Sequence, residues 1–137
     1  MRRKRCYIDT GVLIDMVRGK SGPFIKAIQI LDDPEREFVS SLFLKLEVVP
    51  QAVHNKKEDE IKFYEDFFSS VVDWAEISES LVADAIKNAS DFGLKAMDAL
   101  HIAAALSLKA DEFITTEKTT TPIHRVKSIK VLSIRGQ

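Results

Sequence analysis

The chain has 137 residues and a mass of 15.4 kDa, with 45% hydrophobic and 30% charged residues. That balance excludes a disordered, collagen-like or coiled-coil chain, and the length suits one globular domain, expected to span residues 1–137. Net charge is −1, but its distribution is uneven: residues 1–5 carry four positive charges and residues 118–137 carry five with no acid, leaving 11 basic against 21 acidic residues between them. Basic ends offer phosphate contacts to an anionic polymer, and an acidic middle repels it unless cations offset the charge. Basic tails also commonly do no more than solvate a chain.

Arg5 to Ile8 reads as a short buried strand, and Val12-Leu13-Ile14 with Met16-Val17 continues as a helix opening beyond Asp9-Thr10. Gly19 to Gly22 breaks that pattern, and Pro23 to Leu31 gives a second helical stretch. Glu37 to Ser41 forms a second strand, and Leu42 to His54 a helix that Pro50 is expected to kink or divide. Glu58 to Val71 places Ile61, Tyr64, Phe67 and Phe68 on one helical face. Val71 to Ile77 predicts a strand, and Ser78 caps a helix that Gly93 stops. The apolar helix Ala96 to Lys109 follows, then strands Glu112 to Thr115 and Ser128 to Ile134 around a Thr- and Pro-containing loop. Alternating strands and helices argue for an α/β fold with a central, mainly parallel sheet of about 4 or 5 strands. The lone Cys6 forms no internal disulfide, which fits a reducing, cytoplasmic setting. Asp9 and Asp15 interrupt any signal-peptide core after MRRKR, and no run approaches the ~18 apolar residues of a membrane span.

In an open parallel sheet the ligand crevice lies beyond the carboxyl ends of the strands. Asp9 follows the first strand, and Glu117 follows the strand ending at Thr115. A lone acid at a strand end is as often a helix cap as a functional group, so Asp9 alone leaves both readings open. Asp98 in KAMDALHIAAAL is more informative, because an ionised carboxylate in a buried helix costs several kcal/mol unless it is paired or binds a metal. Its partner is either His101, one turn on, or a cation. On Asp98 alone the His101 pair is slightly favoured. Glu47 in SLFLKLEVVPQ poses the same problem.

Four such acids converging on one crevice would form a site for a hard cation, Mg²⁺ or Mn²⁺, with oxygen ligands. His54, His101 and His124 lack zinc-ligand spacing. The Asp9-Thr10-Gly11 triplet matches an aspartic-protease signature, but that fold is all-β and this chain is heavily helical. The glycines are scattered, so no phosphate-cradling loop exists, and no serine sits on a nucleophile elbow. Cys6 lies within a strand pattern and reads as an inert buried thiol. Phe63, Tyr64, Phe67, Phe68 and Trp74 read as core rather than as a base-stacking platform.

YIDTGVLIDMV, Glu47 in the helix after the second strand, KAMDALHIAAAL and FITTEK together resemble the PIN-domain ribonucleases, which include the VapC-type toxins. The resemblance spans nearly the whole chain and implies a Rossmann-like three-layer fold. It carries the family's four acids over to Asp9, Glu47, Asp98 and Glu117, as catalytic residues and metal ligands. Glu117 stands where the family usually has Asp, one methylene shorter. Thr10 and Thr115, beside the acids, are candidates to orient ligands by hydrogen bonding, or are ordinary turn hydroxyls. The implied activity is a Mg²⁺- or Mn²⁺-dependent endoribonuclease, with RNA as substrate, a cognate antitoxin as partner and a homodimer as the assembly. The alternative is a PIN-like module that holds RNA or a protein without cleaving it.

Overall fold

The computed structural model describes residues 2–19 and 22–135. Strands β1 (Lys4–Ile8), β2 (Arg36–Ser40), β3 (Asp73–Trp74), β4 (Glu112–Thr115) and β5 (Lys130–Ser133) form a wholly parallel sheet in the order β3-β2-β1-β4-β5. Helices α1 (Thr10–Arg18), α2 (Gly22–Leu31), α3 (Leu42–His54), α4 (Glu58–Ser70), α5 (Glu79–Phe92) and α6 (Ala96–Ser107) connect them. A 3₁₀ turn, Pro122–Arg125, precedes β5.

Parallel strands need crossover connections, and those helices must cover both faces of the sheet. Side-chain alternation along the strands divides the core accordingly. Tyr7, Val39 and Phe113 point to one face and pack with Leu81 and Ala85 of α5 and with Ile102 to Ala105 of α6. Cys6, Ile8, Phe38 and Ile114 point to the other, against Val12, Leu13, Leu44, Tyr64 and Phe67. The result is the expected three-layer α/β architecture. α6 is buried along most of its length because its Ala and Ile residues present little bulk and no polar group to the sheet. The aromatic residues of α4 are core, as their spacing predicts: Tyr64, Phe67 and Phe68 are buried.

Local signals act where the sequence places them. The Ser78 side chain accepts a hydrogen bond from the Leu81 amide at 3.1 Å, and Gly93 ends α5 in the left-handed region at φ +68°, where a β-carbon would be strained. The Gly19 to Gly22 break includes Lys20 and Ser21, which lie outside the described residues. One expectation changes and one is narrowed. The strand predicted from Val71 to Ile77 is only two residues long, at one edge of the sheet. Single backbone bonds, Val72 N to Phe38 O and Ala75 N to Ser40 O, both 2.9 Å, flank it before the chain turns to Ser78. Pro50 lies inside α3 without dividing it. Pro50 and Leu46, whose carbonyl loses its partner, are both exposed, so water can satisfy the freed group. Among the described residues no helix is long and apolar enough to cross a membrane.

The chain runs from β1 outward through β2 to β3, then returns to lay β4 and β5 on the opposite side of β1. This reversal puts the topological switch point between β1 and β4. In open parallel sheets a crevice opens there, at the carboxyl ends of the strands.

Candidate active site

Asp9 is the first residue past β1 and only 7% exposed. Its amide donates to the Ile114 carbonyl at 2.9 Å, which fixes it against β4. It caps α1: Oδ1 accepts from the Thr10 amide at 2.8 Å. Oδ2 accepts from Thr115 Oγ1 at 3.0 Å, across the switch point. Capping and convergence on the crevice, alternatives in the sequence, therefore coexist in one side chain. The same Thr115 hydroxyl accepts from the Glu117 amide at 3.1 Å and so sets the turn that carries Glu117.

Glu47, on α3, reaches the same region. Its Oε1 accepts from Thr10 Oγ1 at 2.7 Å and also bonds His101 Nε2. Thr10 therefore bridges the two acids, its amide on Asp9 and its hydroxyl on Glu47. Asp98 lies in the first turn of α6. It does not pair with His101, the partner slightly favoured from sequence. The His101 ring is committed at both nitrogens, Nε2 to Glu47 and Nδ1 to the Tyr7 hydroxyl at 2.7 Å. The i, i+3 spacing was compatible with a pair, but tertiary partners across the core took both ring positions.

The electrostatics tie the four acids together. Burial raises the Asp98 carboxyl above its ordinary range, and the nearby charges of Asp9 and Glu117 push it in the same direction. Burial likewise raises Asp9, with Glu47 adding to the rise and His101 and the bonds from Thr10 and Thr115 opposing it. Glu47 is lowered, chiefly by the hydrogen bond from His101. Among the described residues, Asp9, Asp98 and Glu117 make no ion pair with Lys, Arg or His. No three Cys, His, Asp or Glu side chains among them stand in ready-made metal-ligand geometry either. Asp9, Asp98 and Glu117 offer only oxygen donors and carry no paired cationic side chain, which fits a hard divalent cation by its chemistry.

Sequence reasoning missed the Tyr7–His101 arm of the site. Tyr7 OH also bonds Ser41 Oγ at 2.6 Å, and all three residues are buried. Two signals were available: a buried histidine must satisfy two ring nitrogens, and a buried tyrosine must place its hydroxyl. The basic C-terminal stretch does not gather at the acids. Lys118 follows Glu117 directly, and Arg125 donates to the Phe92 carbonyl at 3.2 Å, beside the α5–α6 junction. Lys130 instead stands in register with Glu112, which itself stands opposite Cys6, toward the amino ends of the strands. Cys6 is the expected inert thiol: burial and the adjacent Glu112 carboxylate push it up to about 12.

The PIN domain family model matches residues 6–124. Comparison with curated proteins gives no significant match. Among solved structures, a chain of the VapBC2 complex from Rickettsia felis, bound to a DNA fragment from its promoter, superposes with a TM-score of 0.71 at 12% identity. That match covers 94% of this chain and 98% of that one. A chain of DNA-bound VapBC from Salmonella typhimurium gives 0.70 at 15% identity, covering 98% and 99%. A chain of a toxin-antitoxin complex from Klebsiella pneumoniae gives 0.67 at 23% identity, covering 96% and 99%. These likenesses show a shared fold, and the match of the family model over most of the sequence shows that the chain belongs to the PIN-domain family.

Proposed function

We propose that this protein is a Mg²⁺- or Mn²⁺-dependent endoribonuclease, with Asp9, Glu47, Asp98 and Glu117 as its metal-holding and catalytic residues. The observation that supports the reading is Asp98, raised by burial and by the nearby charges of Asp9 and Glu117, with no cationic side chain paired to any of the three among the described residues. PIN nucleases generally use a divalent metal, which supports the same reading. When bound, the cation supplies Lewis-acid charge for phosphodiester hydrolysis. The chain's own groups do the rest. Thr115 and the Thr10 amide hold the two Asp9 oxygens, Thr10 Oγ1 holds Glu47, and Lys95 bears positive charge on Asp98 for an approaching phosphate.

The fold likeness to chains of VapBC and toxin-antitoxin complexes supports a toxin role, with an antitoxin protein as the restraining partner. The exposed apolar residues Leu42, Leu46 and Val53 on α3, with Val82 and Ile86 on α5, support a homodimer, since a lone chain would leave them in water.

The test is cleavage of a mixed RNA pool with Mn²⁺ by wild type and by Asp98→Asn, a substitution that keeps size and removes one negative charge. Wild type should cut and the variant should not, while both fold. RNA bound but left intact by wild type in Mn²⁺ would favour the non-cleaving module instead. Full activity in Asp98→Asn would remove Asp98 from the site.

A further inference from the structure

A hydrogen-bonded chain leads out of the sealed core into the site. Ser41 Oγ lies 2.6 Å from Tyr7 OH, Tyr7 OH lies 2.7 Å from His101 Nδ1, and His101 Nε2 meets Glu47 Oε1. Ser41 and Tyr7 are fully buried and His101 is 1% exposed, whereas the Glu47 side chain is 30% exposed. An ionised carboxylate can only accept, so the nitrogen facing Glu47 must carry a proton. In the neutral imidazole Nδ1 is then the acceptor, and Tyr7 must donate to it. The tyrosine is suited to that, because burial pushes its phenol up and keeps the proton on oxygen. Ser41 in turn donates to Tyr7, so the chain has one direction, from Ser41 to Glu47.

Both donors on Glu47, His101 Nε2 and Thr10 Oγ1, use the same oxygen, Oε1. Oε2 has no hydrogen-bond partner among the described residues. We propose that Tyr7 and His101 are positioning residues that fix the imidazole tautomer, pin Glu47 through Oε1 and thereby present Oε2 alone to a divalent cation. Ligands oriented in this way by a second layer of hydrogen bonds lose about 10- to 100-fold in metal affinity when that layer is removed. The assignment rests on the metal reading of the site, and it adds two residues and a direction of hydrogen bonding to it.

The test measures Mn²⁺ binding to the full chain without RNA, by the loss of the free-ion electron paramagnetic resonance signal. Tyr7→Phe is the principal variant, because the ring keeps its stacking on Phe113, with centroids 5.5 Å apart, and loses only the hydroxyl. It should bind Mn²⁺ about tenfold more weakly than wild type. In a Glu47→Gln background the same substitution should change nothing further, since the carboxylate it positions is gone. His101→Gln, which can return an N–H toward Glu47, should bind better than His101→Leu. Long-range ¹H–¹⁵N spectra should place the wild-type proton on Nε2 and show mixed tautomers in Tyr7→Phe.

A merely structural hydroxyl would lower the melting temperature while leaving Mn²⁺ affinity untouched, or would weaken binding equally in both backgrounds. Either result overturns the proposal. If wild type binds Mn²⁺ and Tyr7→Phe matches it, only the positioning role falls. If wild type binds no Mn²⁺ and Asp9→Asn behaves identically, the metal reading falls and takes this assignment with it.

Discussion

Thr115, the last residue of β4, donates its hydroxyl to Asp9, the first residue beyond β1, at 3.0 Å. The bond crosses the one place in the sheet where strand order reverses, and the same oxygen receives the Glu117 amide. One threonine thus sets the positions of two acids that lie 108 residues apart in the chain.

The charge on these acids has a stability consequence whose sign is fixed. Asp9 and Asp98 both have folded-state affinities for protons raised above those of the unfolded chain, first by burial. Over that window the folded state binds more protons than the unfolded one, so their contribution to stability falls as pH rises through the raised range. Without metal, Asp98→Asn should therefore melt above wild type near neutral pH. The gap should narrow as pH falls from neutral through that raised range, where Asp98 itself becomes neutral. Saturating Mn²⁺ should reverse the order, because an ion at about 100 times its Kd adds about 2.7 kcal/mol to wild type and little to the variant. Thermal melts across pH, with and without Mn²⁺, check both halves. A gap that is constant with pH would contradict the coupling.

At the opposite end of the sheet the sign is reversed. Glu112 is 2% exposed, accepts from Arg36 Nε at 3.0 Å and from Cys6 Sγ at 3.3 Å, and lies 3.9 Å from Lys4 Nζ. Burial alone would raise its carboxyl, but the bonds from Arg36 and Cys6 outweigh it and lower it. Its contribution is present above the unfolded-state value and is lost as pH falls through the lowered one. Arg36→Ala strands this carboxylate and should cost about 3 kcal/mol or more in denaturant unfolding. Adding Glu112→Gln should recover part of that loss. A double variant as unstable as the two losses summed would show that the pair is not what holds this corner.

The order and type of every strand and α-helix were legible in the sequence because local signals agreed: short buried runs at β1 and β4, Ser78 and Gly93 around α5, the apolar run of α6, whereas the 3₁₀ turn Pro122–Arg125 was read as loop. The strand β3 was overdrawn because apolar character around Val71 and Ile77 does not reveal where the chain leaves β2 to turn toward Ser78. At the site, the acids stood out as charges in apolar settings. Their partners did not. Which donor a buried group takes depends on side chains that meet across layers, so the pairing of His101 with Glu47 rather than Asp98 is a property of α6 packing near α3, 54 residues away in sequence.

Gly11 is a case where the structure gives a reason the triplet Asp9-Thr10-Gly11 could not. A β-carbon built at Gly11 would lie 2.3 Å from Thr116 Oγ1 and 3.2 Å from its Cγ2. Thr116 stands between Thr115 and Glu117, so Gly11→Ala crowds a side chain of the turn that carries the last acid. The variant should lose most of its cleavage and its Mn²⁺-induced gain in melting temperature, at a cost in metal-free stability of about 1–3 kcal/mol. Gly11→Ala with Thr116→Ala, which clears the colliding atoms, should restore both. Unchanged activity in the single variant would mean that the Glu117 turn is not critical to the site.

The basic residues divide by their place on the sheet, and this makes the salt dependence of RNA binding a positional test. Each phosphate contact releases counterions, so removing one lysine that makes such a contact should reduce the slope of log K against log salt by about 1. Lys95 precedes the helix that carries Asp98 and bears electrostatically on that acid, and Lys118 follows Glu117. Both stand toward the carboxyl ends of the strands, where the proposed nuclease would take the phosphate. Lys127 and Lys130 line a shallow polar depression with Asp111 and His124, and Lys130 lies level with Glu112. Lys95→Ala and Lys118→Ala should each flatten the slope measured with Ca²⁺ in place of Mn²⁺, so that RNA is bound without turnover. Lys127→Ala with Lys130→Ala should leave it unchanged. If the second pair flattens the slope and the first does not, RNA crosses the amino-terminal end of the sheet, and the four acids are not where the substrate lies.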